Sequence, residues 1–186
     1  MEEGEASTIP HPPEEDHPDQ KRGKSSFPYT GWDGPIPSQA GGDREPDWMN
    51  KPPYKWDSKE FVPKFRSECW CGDVAFEING DPLDAKHCHC RQCQRLHGAP
   101  FQWAVIFPKT SVRLVKNDHN ALHCFSTEKR TGEHYVPCKV SCDNCRSPLF
   151  DEGRNTVLVY PSSIQFEDNK VPKNFMPTAH IFYSQR

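Results

Sequence analysis

Nine cysteines in this 186-residue chain fall in clusters rather than at random: Cys69 and Cys71; Cys88, Cys90 and Cys93; Cys124; Cys138; Cys142 and Cys145. An odd number excludes a complete set of intramolecular disulfides, and the start Met1-Glu2-Glu3-Gly4-Glu5 has the wrong charge for a secretory leader. Reduced thiols in a cytoplasmic chain are therefore the expectation, with the nucleus as a second location. Thiols grouped in this way point to metal.

Cys142-Asp143-Asn144-Cys145 has the C-x-x-C spacing that lets two thiolates turn onto one tetrahedral ion at Zn–S distances of about 2.3 Å. Cys69-Trp70-Cys71 offers two more sulfurs, because residues i and i+2 of a strand share a face, and Gly72 lets the following backbone approach them. Together these four make a closed structural site between the start and the end of a domain. The middle group packs three thiols into Cys88-His89-Cys90-Arg91-Gln92-Cys93. Three thiolates so close repel unless a cation neutralises them, and Zn²⁺ with three protein ligands is the arrangement of a catalytic site. Two alternatives remain: a second closed site completed by Cys124 or His97, or ligation by His87 or His89 in place of a cysteine. Cys124 and Cys138 otherwise read as small buried residues.

All nine cysteines lie beyond residue 60. Residues 1–60 carry 10 of the 19 prolines, 13 acidic against 7 basic side chains, and only 12 apolar residues. Such a stretch lacks the apolar area to offset its ordering entropy, so residues 1–26 read as a disordered acidic tail. In residues 27–60, Phe27, Tyr29, Trp32, Trp48, Tyr54 and Trp56 suggest an extended arm that packs across the domain or covers a site. Residues 61–186 form the zinc domain. No apolar run approaches a membrane span, and the small positive excess of the domain argues against nucleic acid as a partner.

Short alternating runs separated by turn residues predict an all-β domain, with strands at Val74–Ile78, Phe101–Phe107, Val112–Val115, Ala121–Phe125, Thr156–Tyr160 and His180–Tyr183. One short helix is predicted over Arg91–His97, stopped by Gly98.

The run Cys69-Trp70-Cys71-Gly72, then Cys88 to Cys93 with Gly98, Pro100 and Phe101, then Cys142 to Cys145, resembles the glutathione-dependent formaldehyde-activating enzyme family, also called the centromere protein V/Gfa domain. The likeness covers about Phe65 to Val171, and Trp32-Asp33-Gly34-Pro35 and Pro177 to Phe182 resemble the fungal branch. It implies an Mss4-like, zinc-stapled β-sheet sandwich and two zinc ions. One would be held by the positions matching Cys69, Cys71, Cys142 and Cys145, the other, catalytic, by Cys88, Cys90 and Cys93. The implied activity is carbon–sulfur lyase chemistry on a glutathione-like thiol and an aldehyde such as formaldehyde. Two positions depart from the family pattern: Glu68 and Arg146 stand where it has glycine. Glycine after a knuckle accepts a positive φ that arginine adopts at a cost.

Three thiolates leave Zn²⁺ with one net negative charge, which opposes an anionic fourth ligand. Arg91, Arg95 and Lys109 are the candidate cations for a substrate's carboxylates, and His180 is a candidate proton carrier. The rival readings are a non-catalytic, zinc-stabilised protein-binding module, and a chromatin adaptor, for which the acidic tail is unsuited.

Overall fold

The structure is a computed structural model that describes residues 47–55 and 60–186. Among these, ten strands form two sheets. Strands β1 (Pro63–Glu68), β2 (Val74–Asn79) and β5 (Val112–Asn117) form the small one, in the order β1-β2-β5. The large sheet contains β3 (Asp84–Cys88), β4 (Gln102–Pro108), β6 (Leu122–Ser126), β7 (Cys138–Cys142), β8 (Pro148–Glu152), β9 (Thr156–Val159) and β10 (Ala179–Ile181). Its order is β10-β3-β4-β9-β8-β7-β6, antiparallel except for the β10–β3 pair.

The buried positions follow the sequence alternation. Val74, Phe76 and Ile78 of β2 are fully buried, as are Val105 and Phe107 of β4 and Val157 of β9. They meet between the sheets: the Phe76 ring stands edge-on to Phe150 of β8 at 4.8 Å, and Phe175, from the loop before β10, joins Phe65 and Phe107. Each such side chain contributes about 1.5–3 kcal/mol of burial. The domain is thus mainly β with one α-helix, α1 (Arg91–His97). Gly98 follows α1 with φ +60 and donates its N–H to the Gln94 carbonyl, the left-handed stop that the sequence predicts.

Four strands escaped the sequence reading: β1, β3, β7 and β8. β1 buries Ser67 beside a single aromatic, Phe65, and β3, β7 and β8 carry charged, histidine or cysteine residues on the faces where alternation would require apolar ones. Those residues build the sites described next. Of the aromatic arm, residues 47–55 are described: Tyr54 is buried, its ring packs near Phe76, and its carbonyl accepts the Leu114 N–H. Phe27, Tyr29, Trp32 and Trp56 lie outside the described residues, as do residues 1–26. No helix among the described residues is long and apolar enough to cross a membrane.

Candidate metal centres

The turn between β1 and β2 carries Cys69 and Cys71. Gly72, with φ +80, closes it, and a Cβ there would come within 3.0 Å of the Glu68 carboxylate. Cys142 ends β7 and Cys145 lies in the turn to β8, so the four sulfurs join a hairpin of the small sheet to a hairpin of the large one. The Cys71 sulfur lies 3.6 Å from both Cys69 and Cys142. A tetrahedron with Zn–S bonds of about 2.3 Å has edges of ~3.8 Å, so the donor set fits a zinc ion. The thiol chemistry agrees. A backbone N–H from Asp73 favours the Cys71 thiolate, but desolvation and the other three sulfurs carry that thiol up to about 12. Burial opposes ionisation of Cys145, yet Ser147 and Cys71 bring it down to about 6. Burial raises the Cys142 thiol as well, so thiols in contact resist ionising together. Arg146 adopts φ +62 and its N–H bonds the Cys142 carbonyl, so the knuckle keeps the glycine-type turn. An arginine there costs about 1 kcal/mol of backbone strain. Its guanidinium pairs with Asp143.

The second centre is local. Cys88 ends β3, Cys90 caps α1, and Cys93 is the buried residue of α1. The Cys90 sulfur accepts the Cys93 N–H at 3.3 Å, and Cys93 and Cys88 sulfurs stand 3.6 Å apart. Burial raises the Cys88 and Cys93 thiols; Cys90 is lowered despite burial, through hydrogen bonds from Cys93 and Cys88 and the charge of Lys139. This spacing also fits zinc. Among the described residues, no fourth histidine, cysteine or carboxylate shares the cluster. His97 instead sits 3.2 Å from the Lys139 ammonium, and Cys124 belongs to the far face of the large sheet. His87 and His89 alternate with the cysteines and point away: His89 Nε2 lies 2.8 Å from Nδ1 of His180, and the His87 ring packs on Phe101. His180, exposed on β10, therefore lies on the face of β3 opposite the Cys88 sulfur.

The candidate cations divide differently from expectation. Arg91 and Arg95 are exposed, and each is two residues from buried Cys93, or roughly 200° around the helix from it. They do not share its face. Lys109 requires a correction: it is fully buried and its ammonium bonds Glu152 at 2.6 Å. Its partner Glu152 faces the opposite side of β8 from Asp151, which holds Lys139 beside Cys93, so Lys109 lies across the sheet from the sulfurs, where it cannot receive a substrate carboxylate.

The cation beside the sulfurs is Lys139 of β7. Its Nζ stands 3.9 Å from the Cys93 sulfur, donates to both Asp151 oxygens at 2.6 and 2.8 Å, and donates to Gln102 Oε1 at 3.0 Å. Asp151 also accepts from Gln102 Nε2 at 2.9 Å and from the Tyr160 hydroxyl at 2.5 Å. His97, Gln102 and Tyr160 continue into the wall of a cavity of about 260 Å³ that Phe101 and Trp103 also line. Sequence reasoning missed Lys139 and Asp151. The available signal was a lysine within the alternating Cys138-Lys139-Val140-Ser141-Cys142 run that leads into the knuckle.

Adjacent residues of the same hairpin face the other way. Glu152 accepts from Tyr54 at 2.6 Å, Lys109 at 2.6 Å and His134 at 2.8 Å, with Cys138 at 3.7 Å. Burial alone would raise its carboxyl; His134 and Lys109 outweigh that and hold it at about 2. His134 stacks on Trp48 at 4.1 Å. The arm segment therefore docks on this network, on the opposite side of β7 and β8 from Cys93. His134, Cys138 and Glu152 are close enough together to hold a metal, but three donors already occupy the carboxylate, one of them an ammonium that a metal ion would have to displace.

Two packed sheets with a four-sulfur and a three-sulfur cluster define a cysteine-stapled β-protein able to hold metal. A family model for the glutathione-dependent formaldehyde-activating enzyme matches residues 64–185, more than half of the chain. The chain belongs to that family. A search of curated proteins finds no match. Among solved structures, a protein of Rhodobacter sphaeroides is similar with a TM-score of 0.45 and 17% identity, over 62% of this chain and 98% of the other.

Proposed function

We propose that this chain is a zinc-dependent carbon–sulfur lyase of the formaldehyde-activating type, which adds an aldehyde to a thiol such as glutathione or removes it. The observation that carries the reading is the three-sulfur cluster of Cys88, Cys90 and Cys93, spaced for zinc and lacking a fourth protein ligand among the described residues. Two ions per chain follow from the two donor sets, the four-cysteine one structural.

Zinc held by three thiolates supplies a position at which a substrate thiol is favoured in its thiolate form. The chain supplies the rest. In the forward direction the thiol S–H breaks, a C–S bond forms to the carbonyl carbon, and the thiol proton ends on the former carbonyl oxygen, giving a hydroxymethyl thioether. Lys139 presents its ammonium beside the sulfurs and Asp151 holds it there. Gln102, Tyr160 and His97 form the polar edge of the adjoining cavity, which Phe101 and Trp103 line as well.

The test combines zinc stoichiometry with exchange NMR of glutathione and formaldehyde. Two zincs and accelerated exchange in the native protein, with one zinc and background exchange in Cys90→Ser, are the expected results. Catalysis that survives Cys90→Ser would refute the assigned site.

A further inference from the structure

We propose that Lys139 is the positioning cation of the three-cysteine centre. Its ammonium donates to the Cys93 sulfur and offsets the negative charge that three thiolates leave on a divalent ion, and so sets how tightly the ion and an anionic fourth ligand are held. This rests on the reading of Cys88, Cys90 and Cys93 as a zinc site.

The geometry leaves the ammonium little freedom. Its side chain is 12% exposed and its Nζ lies within hydrogen-bonding reach of Cys93, Asp151, Gln102 and His97. A lysine buried to this degree is uncommon unless paired, and the pair is Asp151. The carboxylate does not fully cancel the ammonium at the sulfurs. Asp151 receives the Tyr160 hydroxyl and the Gln102 amide as well as Lys139, so three donors share its charge. Of the two, it is the ammonium that touches the sulfur. The sulfurs therefore face the positive end of a fixed dipole.

A cation so placed has two consequences. It stabilises the charged, metal-loaded cluster over the neutral thiols of the metal-free one. It also lessens the repulsion that a fourth, thiolate ligand meets. Because Asp151, Gln102 and His97 already hold the ammonium, it acts on the centre from behind and is no anchor for a substrate's carboxylate.

The decisive experiment compares native protein, Lys139→Met and the charge-balanced Lys139→Met/Asp151→Asn, which leaves no buried unpaired carboxylate. Zinc is titrated against a chromogenic chelator, and cobalt(II) is substituted to read its sulfur charge-transfer band. Loss of an outer hydrogen-bond partner weakens metal binding by about 10–100-fold. That loss is expected for the second ion only, in both variants, with the first ion unchanged and the cobalt band moved to lower energy as the sulfur loses its donor. A merely structural lysine would leave the band where it was. Native affinity and an unmoved band in the double variant would overturn the inference while the zinc site stood. Native protein that binds a single zinc would overturn the underlying reading and the inference with it.

Discussion

The two cysteine centres use the same donor atom at the same spacing yet differ in where their ligands come from. The four-sulfur centre draws on two turns 71 residues apart, and half of it is accessible: Cys71 is exposed and Cys145 partly so. The three-sulfur centre comes from one short run, Cys88 to Cys93, and its neighbourhood holds Lys139, Asp151, Tyr160 and Gln102. An ion that clips distant segments removes much of the chain's unfolded freedom, whereas one that clips six residues removes little. The comparison teaches that one centre is suited to folding and the other to chemistry.

The largest expected effect comes from breaking the long-range clip. On the proposed two-zinc reading, Cys142→Ser removes a ligand of an ion whose apparent binding energy would be about 10–16 kcal/mol, against a total domain stability of about 5–15 kcal/mol. Circular dichroism and proteolysis should show a chain that no longer folds cooperatively. A cooperative, protease-resistant variant would erase the distinction between the centres.

Next comes a test that sets both centres against a polar cluster without sulfur ligation. Glu152→Gln leaves Lys109 buried beside a neutral partner and should cost about 3–5 kcal/mol in denaturant unfolding, with the zinc content unchanged. A lost ion would instead place metal at His134, Cys138 and Glu152. The pH dependence follows from the sign of the shift. Glu152 is held at about 2, below its ordinary 4.5, so its contribution is complete above about pH 4.5 and is lost as the pH falls towards 2. The stability gap between native protein and Glu152→Gln should therefore stay constant from pH 7 to about 5 and narrow below that.

Cys90→Ser should be milder still for the fold. Its ring closes locally, so unfolding should shift by no more than about 1 kcal/mol while one zinc is lost. A loss of stability as large as that of Cys142→Ser would make the second centre structural too. The smallest effect is expected from Arg91→Ala/Arg95→Ala, since both side chains lie around the helix from Cys93: turnover of a glutathione adduct should change less than about twofold. A large rise in KM would return the substrate's carboxylates to that helix face.

The sequence made the ligands and the helix legible because both are local patterns. Cys90 through Gly98 contains its own cap and its own stop, and the helix bounds follow from them. The strands that carry the sites were harder to see, because their inward residues are polar. Lys139 meets Asp151 and Gln102, and Glu152 meets Lys109, over separations of 12 to 43 residues that periodicity does not report. Lysine is also so often exposed that Lys109 reads as a surface cation until its partner is known. Arg91 and Arg95 mislead in the opposite way: closeness to Cys93 along the chain places them on the wrong side of the helix.

Strands β7 and β8 pair Cys138 with Glu152 and Lys139 with Asp151, so successive rungs of one hairpin send a carboxylate to each face. A slip of one residue would turn every side chain of a strand to the opposite face, but it would still offer an acidic group to both sides. Charge alone therefore does not select the correct alignment of this hairpin. Selection falls to shape: the irregularity between Val140 and Ser141, the clasp of Tyr54 on Glu152, and the fixed reach from Cys142 to its sulfur partners. The four-cysteine clip thus acts as the ruler that keeps the lysine at the other end of β7 beside Cys93, some distance from any sulfur it contains.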